Sequence, residues 1–344
     1  MSRVSSPHLP VAPRVSTVMR DVLLALSPGV AIYVLLFGVG VLINIALCVA
    51  ACLLSEALLL RLQRRPLQIF LRDYSAVVTG VLLALALPPL TPWWIPVLGG
   101  ACAILLGKQI YGGLGANPFN PAMLGYVVLL VSCPLQLSLW PAMAPIWEAP
   151  ADSFQQLALA FSSDWATRMD AISSATALDA LRSGLADGLS RSELAAGAVA
   201  DLFARGHAWI ALAWLAGGLW LLHQKLIAWQ IVLGVLAGAA LFALPFWALD
   251  PGRFASPAFH LLAGATLLGA FFIATDPVSA ATTHKGRLYY GLAIGALTVI
   301  IRTWGNYPDA VAFAVLLLNL CVPIIDQYTQ PRIYGGQRGA EGGP

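Results

Sequence analysis

Apolar residues run along this chain in long blocks, and the polar positions collect between the blocks. A bilayer core takes about 20 mostly apolar residues per helix. Ten blocks come near that length: 21–39, 40–61, 74–91, 93–111, 120–140, 207–223, 226–248, 258–275, 287–303 and 309–326. Backbone N–H and C=O groups find no water in hydrocarbon, so each block is expected to be a helix. One long polar excursion, 141–206, separates the first five blocks from the last five. Its Leu178, Leu181 and Leu185 have helical spacing, which predicts a small helical cap rather than an independent domain. The expected fold class is an all-α integral membrane protein of about ten transmembrane helices. Its segments are 1–20, 21–140, 141–206, 207–326 and 327–344: an N-terminal segment, a five-helix repeat, a loop region, a second five-helix repeat and a tail.

Composition sharpens this reading. Hydrophobic residues make up 59% of the chain and charged residues 10%, where a soluble domain carries about 25% charged. A soluble chain this apolar would lack the polar surface to cover its core. The net charge of +3 forms no Lys/Arg face for nucleic acid. The positions of the charges set an orientation instead. With the N-terminus inside, 13 of the 19 Lys and Arg residues fall on the cytoplasmic side. The other six are Arg168, Arg182, Arg191, Arg205, Arg253 and Arg302, four of them in the long loop. Trp93, Trp94, Trp140, Trp247 and Trp304 fall at the expected outer ends, as interfacial anchors do. Both termini are thus expected inside and the loop outside.

An odd number of spans in each half makes the halves enter the membrane in opposite directions. Thr79–Pro88 and Gly264–Phe272 are similar small-residue segments that run into Pro/Thr turns, and Asn117-Pro118 precedes block five as Tyr307-Pro308 precedes block ten. This is the pattern of two inverted repeats, whose sites lie near the midplane beside broken helices. Chance matching of apolar sequence is the alternative.

Few residues carry chemistry. In Tyr111–Pro121, three glycines permit close backbone approach to a flat ligand, and Asn117 and Asn120 offer donors and acceptors at membrane depth. Helix capping by the same asparagines is an equal reading. Asp276 stands in Thr275–Ser279, as a hydrogen-bond acceptor for a ligand or as the cap of the next turn. Glu56 is the one acid well inside a block, which makes it a candidate for an ion path, although Arg61 is close enough in sequence to pair with it. In Asp170–Leu178, Ser173 or Ser174 reads as a helix N-cap and Thr176 as a first-turn residue. The five cysteines all sit in apolar runs and offer neither a disulfide framework nor a second pair at ligand spacing, so no metal site is expected.

Together, Lys108–Pro121, Ser173-Ser174-Ala175-Thr176, Ala274–Ser279 and Pro331–Gly335 resemble the D subunit of the Rnf complex, the ion-translocating ferredoxin:NAD oxidoreductase. The related alternative is the B subunit of the sodium-translocating NADH:quinone reductase. The resemblance covers about residues 20–335. It implies FMN joined to Thr176 through a phosphoester, made from FAD by a flavin transferase on the outer face. It also implies a second, non-covalent riboflavin, for which Asn117, Asn120 and Asp276 are the candidates. The chain would pass electrons through these flavins, coupled to Na+ or H+ translocation across a bacterial inner membrane. Its partners would include a second flavoprotein subunit and iron–sulfur subunits, since no NAD fingerprint or cluster cysteine set occurs here. Ala171, Ser174 and Ala177 depart from the family's common Gly, Gly and Pro and leave the acceptor intact. A secondary transporter or channel with inverted repeats and no redox cofactor is the competing class.

Overall fold

The structure, a computed structural model, describes residues 14–143, 152–189, 194, 199–305, 307 and 310–331. Most of the expected N-terminal segment, Arg332 to Gly335 of the tail, Pro308, Arg191 and Glu193 lie outside the described residues. The fold is helical. Ahead of the loop run α1 (Val15–Phe37), α2 (Gly40–Leu62), α3 (Ser75–Ala86), α4 (Trp94–Gly107) and α5 (Pro121–Ser132). The loop carries α6 (Ser153–Ala160), α7 (Trp165–Asp170) and α8 (Ala177–Ala186). After it come α9 (His207–His223), α10 (Trp229–Leu249), α11 (Pro257–Leu262), α12 (His284–Trp304) and α13 (Val311–Thr329).

Among the described residues, five helical stretches are long and apolar enough to cross a membrane: α1, α2, α4 with its extension to Tyr111, α10 and α13. The rest of the ten expected spans are shorter, broken or more polar. Helices α3 and α5 have 12 residues each, about 18 Å at 1.5 Å per residue, against about 30 Å of hydrocarbon. The expected span 258–275 is split: α11 ends at Leu262, Gly264 takes φ +64°, and the chain resumes as Thr266–Leu268 and a π-helical turn, Gly269–Ile273. Proline explains the truncations of α3 and α5, because Pro88, Pro89 and Pro134 cannot donate the N–H that would continue a helix.

At Pro88, His260 and Ile273, side chains from elsewhere meet carbonyls at the breaks. Asn44 of α2 donates to Pro88 O at 2.8 Å and accepts from Thr91 Oγ1 at 3.2 Å. His260 O accepts from Thr266 Oγ1 at 2.7 Å and from Arg302 of α12 at 2.9 Å. Asn120 Nδ2 donates to Ile273 O at 3.3 Å across the two halves of the chain. Irregular backbone at membrane depth persists only where it is satisfied in this way.

Helix pairing follows the distribution of small residues. In the first half α2 packs on α3 and α4, and α4 on α5; in the second α10 packs on α11 and α12, and α12 on α13. Helix α1 lies against α9, and α5 touches α13. The α10–α12 contact is backbone on backbone. A Cβ at Gly238 would sit 2.2 Å from Leu292 O, and one at Gly295 would sit 2.1 Å from Val235 O. Gly234-x-x-x-Gly238 thus faces Gly291-x-x-x-Gly295, the small-residue packing that lets membrane helices approach closely.

The loop region closes over one end of the bundle. Trp165 Nε1 donates to Leu90 O at 2.7 Å, and Gln156 Oε1 accepts from Gly40 N at 2.9 Å. Helix α8 buries Ala177, Leu178 and Leu181 with Leu202, Ala208 and Phe259. Burial of each leucine stabilises this docking by roughly 1.5–3 kcal/mol.

Candidate functional site

Two cavities lie toward opposite ends of α1. Tyr33, Leu36 and Phe37 line the larger; Val18, Met19 and Val22 line the smaller. From Val22 to Tyr33 the helix rises about 16 Å. The larger cavity, about 1010 Å³, is bounded by α1, α5, α8, α9 and the start of the loop. Its wall carries Tyr33, Phe37, Tyr126, Trp140, Trp209 and Trp214, together with Arg182, Arg205 and His207.

Ser174, Ala175, Thr176 and Asp179 belong to the same wall. Two backbone bonds pin this stretch to the start of the loop: Ser174 N to Trp140 O at 2.9 Å and Ala142 N to Ile172 O at 3.1 Å. They frame an isolated antiparallel bridge between Pro141 and Ser173. Thr176 is itself the N-cap of α8, which corrects the expectation that Ser173 or Ser174 caps and Thr176 sits in the first turn. Its backbone is extended, with φ −65° and ψ 164°, and its Oγ1 accepts from Asp179 N at 3.2 Å. The same hydroxyl donates to Asp179 Oδ2 at 2.6 Å. Thr176 and Asp179 are half-buried, whereas Ser174 and Ala175 are exposed.

Asn117, Asn120 and Asp276 all line the smaller cavity, with Ser75, Thr79, Lys108 and Thr275. Its volume is about 80 Å³. Local bonds engage all three residues. Asn120 caps α5, accepting from Met123 N at 3.3 Å. Asn117 accepts from Gly115 N at 3.3 Å and donates to Phe119 O at 2.9 Å. Asp276 accepts from Ser279 Oγ at 2.7 Å. The Asn319 amide, oriented to satisfy its neighbours, accepts from Asn120 N at 3.1 Å and donates to Ser279 O at 3.3 Å and to Tyr290 OH at 2.6 Å. One asparagine of α13 thereby joins the start of α5 to the turn after Ile273.

Glu56 is fully buried, and its partner is Lys108 rather than Arg61. Lys108 Nζ lies 2.5 Å from Glu56 Oε1 and 2.7 Å from Ser75 Oγ, and Gln109 Nε2 reaches the same carboxylate oxygen at 3.0 Å. Glu56 Oε2 has no hydrogen-bond partner among the described residues.

The chain matches the sequence profile of the NQR2, RnfD, RnfE family over residues 2–335. It belongs to that family. A relative from Ectopseudomonas mendocina, named as the D subunit of an ion-translocating oxidoreductase complex, is 48% identical over 343 residues, which is 98% of this chain and 97% of the relative. Relatives of the same name from Pseudomonas aeruginosa, 48% identical over 343 residues, and Salmonella paratyphi A, 47% identical over 349 residues, are covered over 98% of their length. In this NQR2, RnfD, RnfE family member, ring contacts join the walls of the two cavities. They run Trp140–Phe37 at 6.2 Å, Phe37–Tyr33 at 5.2 Å, Tyr33–Trp214 at 6.1 Å and Trp214–Phe272 at 6.1 Å between centroids. Sequence reasoning missed Lys108, Asn319 and Tyr290 as members of these sites. A lysine at the end of an apolar block was a usable signal for Lys108. Asn319 and Tyr290 each look like a lone polar residue in a span.

Proposed function

We propose that this chain is the D-type membrane subunit of an ion-translocating oxidoreductase complex and carries FMN covalently on Thr176. One observation carries the reading: Thr176 lines a cavity of about 1010 Å³, at the upper end of the roughly 300–1,000 Å³ typical of small-molecule pockets. The aromatic wall suits a flat apolar ring system. Arg182 and Arg205 on the same wall suit a phosphate. Thr176 supplies the oxygen that a phosphoester requires, at the positive end of α8. Bound there, the flavin supplies one- and two-electron chemistry, while the protein contributes position, polarity and shelter from water.

A second, non-covalent riboflavin is proposed at Asn117, Asn120 and Asp276. The three residues line one cavity. Its 80 Å³ admits two or three waters at about 30 Å³ each, not a tricyclic ring, so no step is routed through this group. Glu56 is proposed to serve ion uptake, with Na+ or H+ as the coupled ion. The remaining proposal is architectural: ten spans in two inverted five-helix repeats, in the bacterial inner membrane. The matching order of helix pairs in the two halves supports it. Ferredoxin and NAD chemistry falls to partner subunits, a second flavoprotein and iron–sulfur proteins among them, and a flavin transferase loads Thr176.

The test is peptide mass spectrometry with in-gel flavin fluorescence on full-length protein co-produced with the transferase. Label on the peptide holding Thr176 that vanishes in Thr176→Ala and persists in Ser173→Ala and Ser174→Ala is the expected result. Label retained in Thr176→Ala overturns it.

A further inference from the structure

We propose that Asp179 is the proton acceptor that readies Thr176 for flavin attachment, and so selects this hydroxyl over its neighbours. The inference rests on the reading of Thr176 as the FMN acceptor. Three hydroxyls lie within four residues, at Ser173, Ser174 and Thr176, and spacing alone does not choose between them. Their surroundings separate Ser173 from Thr176. Ser173 Oγ donates to Asp170 O at 3.1 Å, a carbonyl that cannot take the proton away. Thr176 Oγ1 donates to a carboxylate, Asp179 Oδ2, at 2.6 Å. A hydroxyl nucleophile within hydrogen-bond reach of a base is the arrangement that activates it.

The geometry fixes the rest of the nucleophile. A hydroxyl oxygen has one O–H and two lone pairs. The O–H points at Asp179 Oδ2, and one lone pair accepts from Asp179 N at 3.2 Å. The second lone pair remains for attack, and Thr176 is one of the residues that line the larger cavity. Both bonds come from one residue, three positions along the first turn of α8, so the cap that starts the helix also aims the oxygen.

Atoms and charge balance in the transfer. Thr176 Oγ1 attacks the flavin-side phosphorus of FAD held by the transferase. The Oγ1–P bond forms and the bond from that phosphorus to the pyrophosphate bridging oxygen breaks. AMP leaves with the bridging oxygen, and the Thr176 proton passes to Asp179 Oδ2. Nothing is oxidised or reduced.

Full-length chain in membrane vesicles, supplied with the transferase, FAD and Mg2+, tests this by the rate of in-gel fluorescence and of peptide mass gain. Asp179→Asn keeps the size and the N–H of the residue but cannot take the proton. The transfer kcat is expected to fall by about 10²-fold, the lower end of general-base contributions, while KM for the acceptor chain stays within about twofold. Asp179→Glu is expected to restore most of the rate. Equal amounts and melting temperatures of wild type and variants in the membrane fraction exclude misfolding. A wild-type kcat in Asp179→Asn overturns the role of Asp179 and leaves Thr176 as acceptor. A raised KM with unchanged kcat, or no rescue by Asp179→Glu, overturns it in favour of a structural role. Label retained in Thr176→Ala, or absent from wild type, overturns the acceptor reading itself.

Discussion

Glu56 is a case in which one residue carries two demands. A carboxylate and an ammonium buried together balance each other's charge, but their mutual attraction only offsets what both lose by leaving water. Removing one partner leaves the other uncompensated, which costs about 3–5 kcal/mol in such sites. Glu56→Gln is therefore expected to lower the melting temperature of the purified protein sharply, since Lys108 keeps only Ser75 Oγ and an amide. Glu56→Gln with Lys108→Met removes both charges and is expected to recover most of that loss. Equal melting of the single variant and wild type would show that the pair adds nothing to stability. The same double variant separates stability from transport: coupled ion uptake at the wild-type rate assigns Glu56 to structure alone, and loss of uptake in a stable protein supports the ion path.

At the scale of elements, the departures from regular helix are the informative features. A helix broken inside a membrane protein must find partners for its freed carbonyls, and at Pro88, His260 and Ile273 a side chain from another helix or turn supplies one. Asn120 does most: it caps α5 and donates to Ile273 O, and no other side chain of its shape serves both ends. Asn120→Ala removes one of two bonds to Ile273 O, which keeps Asp276 N at 3.3 Å, a loss of about 1 kcal/mol, and removes a cap of about 1 kcal/mol. A drop of this size in chemical or thermal unfolding of the protein is expected. Asn120→Asp retains the acceptor that caps α5 and loses the donor to Ile273 O, so it is expected to fall between the two. If Asn120→Ala unfolds like wild type, the contact between the two breaks is incidental. The α10–α12 contact is less forgiving, because backbone stands where a side chain would go at Gly238 and Gly295.

For the molecule as a whole, the order of contacts is the same on both sides of the loop. The second helix of each half packs on the third and fourth, the fourth packs on the fifth, and the two halves meet through α1 with α9 and α5 with α13. Two five-helix units of opposite direction would produce this pairing about an axis in the membrane plane. The charge asymmetry predicts both termini inside and the loop outside. Reporter fusions at residue 160 and at the C-terminus check it: an outside signal at 160 and an inside signal at the C-terminus are expected. An inside signal at 160 would overturn the orientation and, with it, delivery of flavin to Thr176 on the outer face.

The sequence by itself determined that this is a helical membrane protein, where most helices begin, and which family it belongs to. Apolar blocks and motif residues are local properties, and the bilayer constraint turns them directly into helices. It also overestimated the lengths of α3 and α5 and the continuity of 258–275, because an apolar run past Pro88, Pro134 or Gly264 reads the same whether or not the helix continues. The placement of Asn117, Asn120 and Asp276 around one cavity was decided by tertiary structure, since it depends on how two distant halves fold together. So were the partner of Glu56 and the carboxylate beside Thr176. Arg61 was the nearer cation in sequence, but Lys108 reaches Glu56 because α2 packs against α4. Asp179 is one of several acids in the polar excursion; the start of α8 at Ala177 turns its side chain back onto the Thr176 hydroxyl.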